Sequence, residues 1–77
     1  MNRKELKEKL SKEKDAEYIS EIEHNEKTYV KALKSGKDGI SYIYYEIVGD
    51  TLKEIEDQQL LSYFKEKYEI KPSKIIY

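Results

Sequence analysis

Residues 17–48 read EYISEIEHNEKTYVKALKSGKDGISYIYYEIV, and the apolar residues in this stretch recur with a period of two. Strands place successive side chains on opposite faces, so this period predicts a sheet. Tyr18, Ser20 and Ile22 alternate with Glu17, Ile19, Glu21 and Glu23, His24 to Lys27 interrupts, and Thr28 to Leu33 resumes. Asn25-Glu26 reads as a two-residue turn because asparagine tolerates positive φ, although glycine is the favoured second residue. That turn pairs Ile22 with Tyr29, Ser20 with Lys31 and Tyr18 with Leu33 on one face. Ser35-Gly36-Lys37-Asp38-Gly39 holds two of the three glycines and is the strongest turn signal of the chain. Read as a five-residue loop, it sets Tyr29 opposite Tyr45 and Lys31 opposite Ile43. The expected core face is then Tyr18, Ile22, Tyr29, Leu33, Ile43, Tyr45 and Ile47. Tyr42 and Tyr44 fall on the other face with Ile19, Val30, Ala32 and Val48. A loop one residue different exchanges the faces, because the side-chain period is two.

Working outward, Asp50 to Tyr68 has the composition of one long helix, but its apolar residues forbid it. Ile55 and Phe64 are nine residues apart, as are Leu52 and Leu61, and at about 100° per residue each pair lies about 180° out of phase. A helix opened by Asp57 as N-cap removes the conflict and aligns Leu60, Leu61, Phe64 and Tyr68 in one stripe. Gly49-Asp50 becomes a hairpin turn, and Thr51 to Glu56 a short fourth strand in which Lys53 can pair with Glu46. Pro72 stops the helix and places its end near Tyr68 to Ile70. At the other end, Asn2 and Glu5 have the spacing of a capping box ahead of strong helix formers. Leu6 and Leu10 are the only clear apolar pair there, so residues 1–14 read as a loosely docked helix. Residues 71–77 read as a tail that adds an edge strand or hangs free for a partner.

The expected architecture is therefore α+β: an N-terminal helix, an antiparallel β-meander of three or four strands, and a C-terminal helix packed on one sheet face. With 77 residues, a single small domain over 1–77 is all the length supports. The 40% charged residues come in blocks: six basic and three acidic in residues 1–14, five acidic in 15–26, four lysines in 27–37, three acidic in 38–50. Blocks of that length match single elements and fit cross-strand pairing of opposite charges.

Several function classes are disfavoured by the residues at hand. Without cysteine there is no disulfide framework, thiolate nucleophile or zinc-thiolate site. The longest apolar run, Tyr42 to Tyr45, is far below the ~18 residues of a membrane span, and Met1 leads into Asn2-Arg3-Lys4-Glu5 with no apolar stretch behind the charges. A soluble cytoplasmic protein with no membrane association is the expectation. Glu21, Glu23, His24 and Glu26 are the one place where acid, base and potential ligand stand close together. On a strand, however, the two glutamates and His24 point to opposite faces, so a metal-assisted site is not expected there. The serines lie in no Gly-x-Ser-x-Gly context, and Gly36-Lys37-Asp38-Gly39 lacks the spacing of a phosphate cradle. The chain is read as no enzyme and as carrying no cofactor and no metal.

Helix, three antiparallel strands, helix resembles the double-stranded-RNA-binding domain in element order alone. Where that family opens its second helix with lysines, this chain has Glu54-Ile55-Glu56-Asp57-Gln58-Gln59. Carboxylates there stabilise the helix dipole themselves and repel a phosphate. A nucleic-acid-binding module using the first helix and Lys27, Lys31, Lys34 and Lys37 is kept as the alternative reading.

Tyrosine is the compositional excess, at 8 of 77 residues. Such rings fill a thin core from its edges, or serve as contact surface at low entropy cost. In the expected register Tyr42 and Tyr44 lie on the face away from the second helix, which Leu6 and Leu10 cover only in part. The favoured reading is a small protein-binding module, an adaptor or inhibitor, acting through a tyrosine-rich sheet face. Its candidate contacts are Ile19, Val30, Tyr42 and Tyr44, with Ile75, Ile76 and Tyr77 as an edge strand. The partner is another protein or a second copy of the chain.

Overall fold

The computed structural model describes residues 2–69. Helix α1 (Arg3–Lys9) runs into a π-helical turn (Leu10–Lys14), followed by strands β1 (Glu17–His24), β2 (Lys27–Gly36), β3 (Gly39–Val48) and β4 (Thr51–Glu54), then helix α2 (Gln58–Tyr68). The strands form one antiparallel sheet in the order β1-β2-β3-β4, so every ladder joins neighbours in the chain. This is the α+β arrangement expected, with four strands rather than three.

Local signals produce the elements as read. Asn2 and Glu5 close a capping box at α1, each side chain accepting the other's backbone N–H. Asp57 caps α2 by accepting from the N–H groups of Gln59 and Leu60. Asn25 and Glu26 turn with φ of 50° and 63°, the left-handed pair that a two-residue hairpin requires. Gly49, at φ 61°, starts the next hairpin, and Glu46 stands opposite Lys53 as expected.

Two register expectations are corrected. The first concerns β2 and β3, where Tyr29 faces Glu46 and Lys31 faces Tyr44, one residue away from the expected pairing. The loop is tighter than five residues: Gly36 pairs directly with Gly39, leaving only Lys37-Asp38 between strands. Gly39, at φ 116°, reaches a conformation that a side chain would oppose, and so closes the hairpin early. The faces exchange accordingly. Tyr44 joins Ile22, Tyr29 and Phe64 in one buried cluster, whereas Tyr45 joins Leu6, Leu10, Ala16, Val30, Ala32 and Leu52 in the other.

The second correction is a β-bulge in β1. Ile22 faces Tyr29 and Ser20 faces Lys31 as expected, but Tyr18 then faces Ala32 and Glu17 faces Leu33, leaving Ile19 as the extra residue. Tyr18 therefore packs with the α1 cluster, under the cations of Arg3 and Lys7 at 5.9 and 5.6 Å from its ring.

The sheet is thus covered on both faces. On one, α2 lays Phe64 across Tyr29 (5.0 Å between centroids) and Tyr44 (5.5 Å), with Ile55, Leu60, Leu61 and Tyr68 around it. Aromatic pairs of this geometry add ~0.5–1.5 kcal/mol each beyond their area. On the other, α1 covers Val30, Ala32 and Tyr45. The first helix, expected to be loosely docked, leaves Leu6 only 1% and Leu10 0% exposed. Its stripe is narrow, but both members are fully used. Asp15, left-handed at φ 54°, turns the chain so that the Ala16 N–H reaches the Leu10 carbonyl and β1 can begin.

Candidate protein-contact edge

β3 is ten residues long, but β4 pairs only with Tyr45 to Val48. Likewise β1 pairs with β2 only as far as Leu33. The β2–β3 hairpin therefore projects past both neighbours as a two-stranded arm. The pairs next to the two-residue turns, His24 with Lys27 and Val48 with Thr51, fix which residues exchange ladder bonds. Alternation along β3 then directs the N–H and C=O groups of Ile40 and Tyr42 away from β2. Among the described residues, no strand receives them.

The side chains of this stretch match its open backbone. Ile40 is 68% and Tyr42 41% exposed, and both lie on the face that α2 covers farther down the sheet. Lys31 stands between them and the helix. Its Nζ donates to the Tyr68 carbonyl at 2.6 Å and sits 4.2 Å from the centre of the Tyr42 ring. Lysine is a good ligand for the last carbonyls of a helix, where the dipole is negative. Next to it the Tyr44 hydroxyl donates to the carboxylate of Glu69, the residue that ends α2. Burial first, and then the Glu69 hydrogen bond and charge, push the Tyr44 phenol well above its usual 10.0. The last turn of α2 is thereby tied to β2 and β3 at the base of the arm.

The chain matches no protein-family model, no curated protein and no solved structure.

The sequence-predicted contact residues do not share one surface. Val30 is buried beneath α1 and Tyr44 beneath α2, so neither meets a partner. The one-residue shift in the β2–β3 register carries Tyr44 to the α2 face, whereas Val30 keeps its expected face and is buried there in the cluster of Leu6 and Leu10. Tyr42 is exposed, but on the α2 side of the sheet. Ile19 is exposed on the bulge of β1, at the opposite edge of the sheet. Ile75, Ile76 and Tyr77 lie outside the described residues. Ile40, which the sequence reading passed over, is the most exposed large apolar residue of the described chain. Its signal was present: an isoleucine directly after the turn glycine has no neighbouring element to cover it.

The four lysines of the alternative reading are also dispersed. Lys27 sits 3.9 Å from the Glu46 carboxylate, and Lys31 is engaged with Tyr68 and Tyr42. Lys34 and Lys31 are three apart on one strand and therefore point to opposite faces. His24 turns its ring toward Tyr63 and Phe64, at 5.0 and 5.6 Å, on the face opposite Glu21 and Glu23. Among the described residues no three histidine or acidic side chains gather as a metal site, and no helix is long and apolar enough to cross a membrane.

Proposed function

We propose that this chain is a small protein-binding module whose contact site is the projecting β2–β3 arm. The observation that carries the reading is the β3 edge at Ile40 and Tyr42, where backbone groups that no described strand pairs and exposed apolar side chains coincide. An extended segment of a partner protein suits it. Main-chain hydrogen bonds to the edge would supply affinity, and alternate side chains of the incoming strand would meet Ile40 and Tyr42 and so supply specificity. Proteins ordinarily blunt such an edge with charge, proline or a bulge. Here Lys31 reaches the Tyr42 ring from the neighbouring strand β2, and Lys37 and Asp38 stand in the turn, so none of these charges lies on the edge itself.

The test is capture from the native host with two baits, the natural chain and an Ile40→Lys/Tyr42→Ser double variant. Both substituted side chains are exposed, so the fold is retained. A protein held by the natural chain and lost from the variant supports the reading. A protein held equally by both baits, or retention of nucleic acid that falls steeply with salt, overturns it.

A further inference from the structure

We infer that the partner at the β3 edge is a second copy of this chain, paired antiparallel about a two-fold axis at Ser41 so that the two sheets join into one. The inference rests on the arm being the contact site proposed above, and it names that partner. Composition supports it first. In a chain with 40% charged residues, Gly39-Ile40-Ser41-Tyr42-Ile43-Tyr44-Tyr45 holds neither a charge nor a proline. Charge beside the axis of a self-paired strand would face its like, and proline would remove a ladder bond.

Register supports it next. Antiparallel bonds join residues whose backbone groups point at each other, so Ile40 and Tyr42 must meet Ile40 or Tyr42 of the second copy. Tyr42 against Tyr42 would carry Gly39 of one copy opposite Tyr45 of the other, a position that Glu54 already holds. Ile40 against Ile40 would set Tyr42 against Asp38, which lies in the turn and has left the strand. Ile40 against Tyr42 is free of both faults and makes about four main-chain hydrogen bonds.

The side chains suit that register. On the α2 side of the sheet each Ile40, 68% exposed, covers the 41% exposed Tyr42 of the other copy, a pairing of aromatic with β-branched residue that symmetry repeats. Leu33, half-buried opposite Tyr42 on β2, extends the row. On the other side the Ser41 hydroxyls face each other across the axis. The Lys37-Asp38 turn of each copy comes beside the end of β4 in the other, where Glu54 and Glu56 are exposed. Lys37 attracts these carboxylates and Asp38 offsets part of the attraction, so the charges fix register more than they add affinity. A short edge with two apolar side chains per copy buries less than the ~1,200 Å² at which stable interfaces begin, so the dimer forms at about 0.1–1 mM.

Sedimentation equilibrium of the full chain should show its mass rising from monomer at ~10 μM toward dimer at ~1 mM. In a mixture of labelled and unlabelled chain, isotope-filtered NMR should show the Tyr42 ring against the Ile40 methyls of the other copy. Ile40→Lys should weaken association at least about tenfold while the amide signals of Val30 and Tyr45 stay in place. Lys37→Glu should weaken it about two- to tenfold, and Glu54→Lys added to it should restore it. A monomer at every concentration overturns the inference, as does a dimer without the contact of Tyr42 with Ile40 or one that Ile40→Lys leaves intact. Protection of the Ile40 and Tyr42 amides that persists on dilution also overturns it, since the occupant then lies within the chain. A chain that stays monomeric yet captures a host protein through Ile40 and Tyr42 ends this inference alone and leaves the arm as the contact site.

Discussion

The Tyr44 hydroxyl donates a hydrogen bond to the Glu69 carboxylate, joining the middle of β3 to the residue that ends α2. One bond thus ties the helix to the sheet at the level where β4 stops covering it. It also makes the phenol a reporter of the folded state in alkali, because above pH 10 Tyr44 keeps its proton only while it is buried beside Glu69.

Stability should fall in alkali. The phenols of Tyr29, Tyr44 and Tyr45 are all raised above the usual 10.0, each chiefly by burial. A raised folded pKa means that the unfolded chain loses its proton first, so the stabilisation is complete below pH 10 and is lost as pH climbs from there toward the folded values. Thermal unfolding followed by circular dichroism should show Tm flat through neutrality and dropping above pH ~10. The ionisation of Tyr29, Tyr44 and Tyr45, followed ring by ring by NMR, should accompany unfolding and not precede it. In Tyr44→Phe the drop should be shallower, at a cost near neutrality of about 1 kcal/mol for the lost bond.

Leu10→Ala should cost about 2–5 kcal/mol, the range for a buried leucine whose surroundings relax only in part. Native stability is ~0.05–0.15 kcal/mol per residue, so such a loss removes a large share of what a chain of 77 residues has. Urea denaturation checks it. A loosely docked first helix would instead give a change below ~0.5 kcal/mol.

Deletion of Ile19 should be tolerated. Without the bulged residue, Tyr18 still meets Ala32 and Glu17 still meets Leu33, and Ser20 still meets Lys31 in an unbroken ladder. The amide spectrum should keep the signals of the α1 cluster, with stability changed by less than ~1 kcal/mol. A strand without a bulge predicts the reverse, since the deletion would then turn Tyr18 to the opposite face.

Glu26→Gly should stabilise the fold by about 1 kcal/mol. Glu26 stands at φ 63°, where a Cβ is opposed by the neighbouring carbonyl and glycine is free. The midpoint of urea unfolding should move up with its slope unchanged.

Much of the fold was legible because its signals are local. Asn2 with Glu5, Asn25-Glu26, Gly49-Asp50 and Asp57 each act through their own backbone and appear where the residues put them. The phase conflict between Ile55 and Phe64 divided strand from helix correctly for the same reason. The faces of the sheet were not legible, because two choices of a single residue decide them. Gly39 closes its hairpin one residue early, and Ile19 adds one residue to β1. In a period-two element each choice carries Tyr44 or Tyr18 to the other side, and β3 offers tyrosine in both phases, Tyr44 and Tyr45, so hydrophobicity could not arbitrate. The candidate site suffered directly. Val30 and Tyr44 were expected to share an open face, and instead they are buried in separate clusters, while Ile40 on the arm escaped notice.

The meander order has a consequence for synthesis. Every strand pairs with its predecessor, so the sheet and its α1 cover can form as the chain leaves the ribosome, with short loops to close and little search. The Ile22, Tyr29 and Tyr44 face has no such early cover. It waits for Phe64, which arrives last, and a nascent chain paused before residue 58 carries a bare aromatic surface. That interval is when the protein is most exposed to aggregation, and when a chaperone has most to bind.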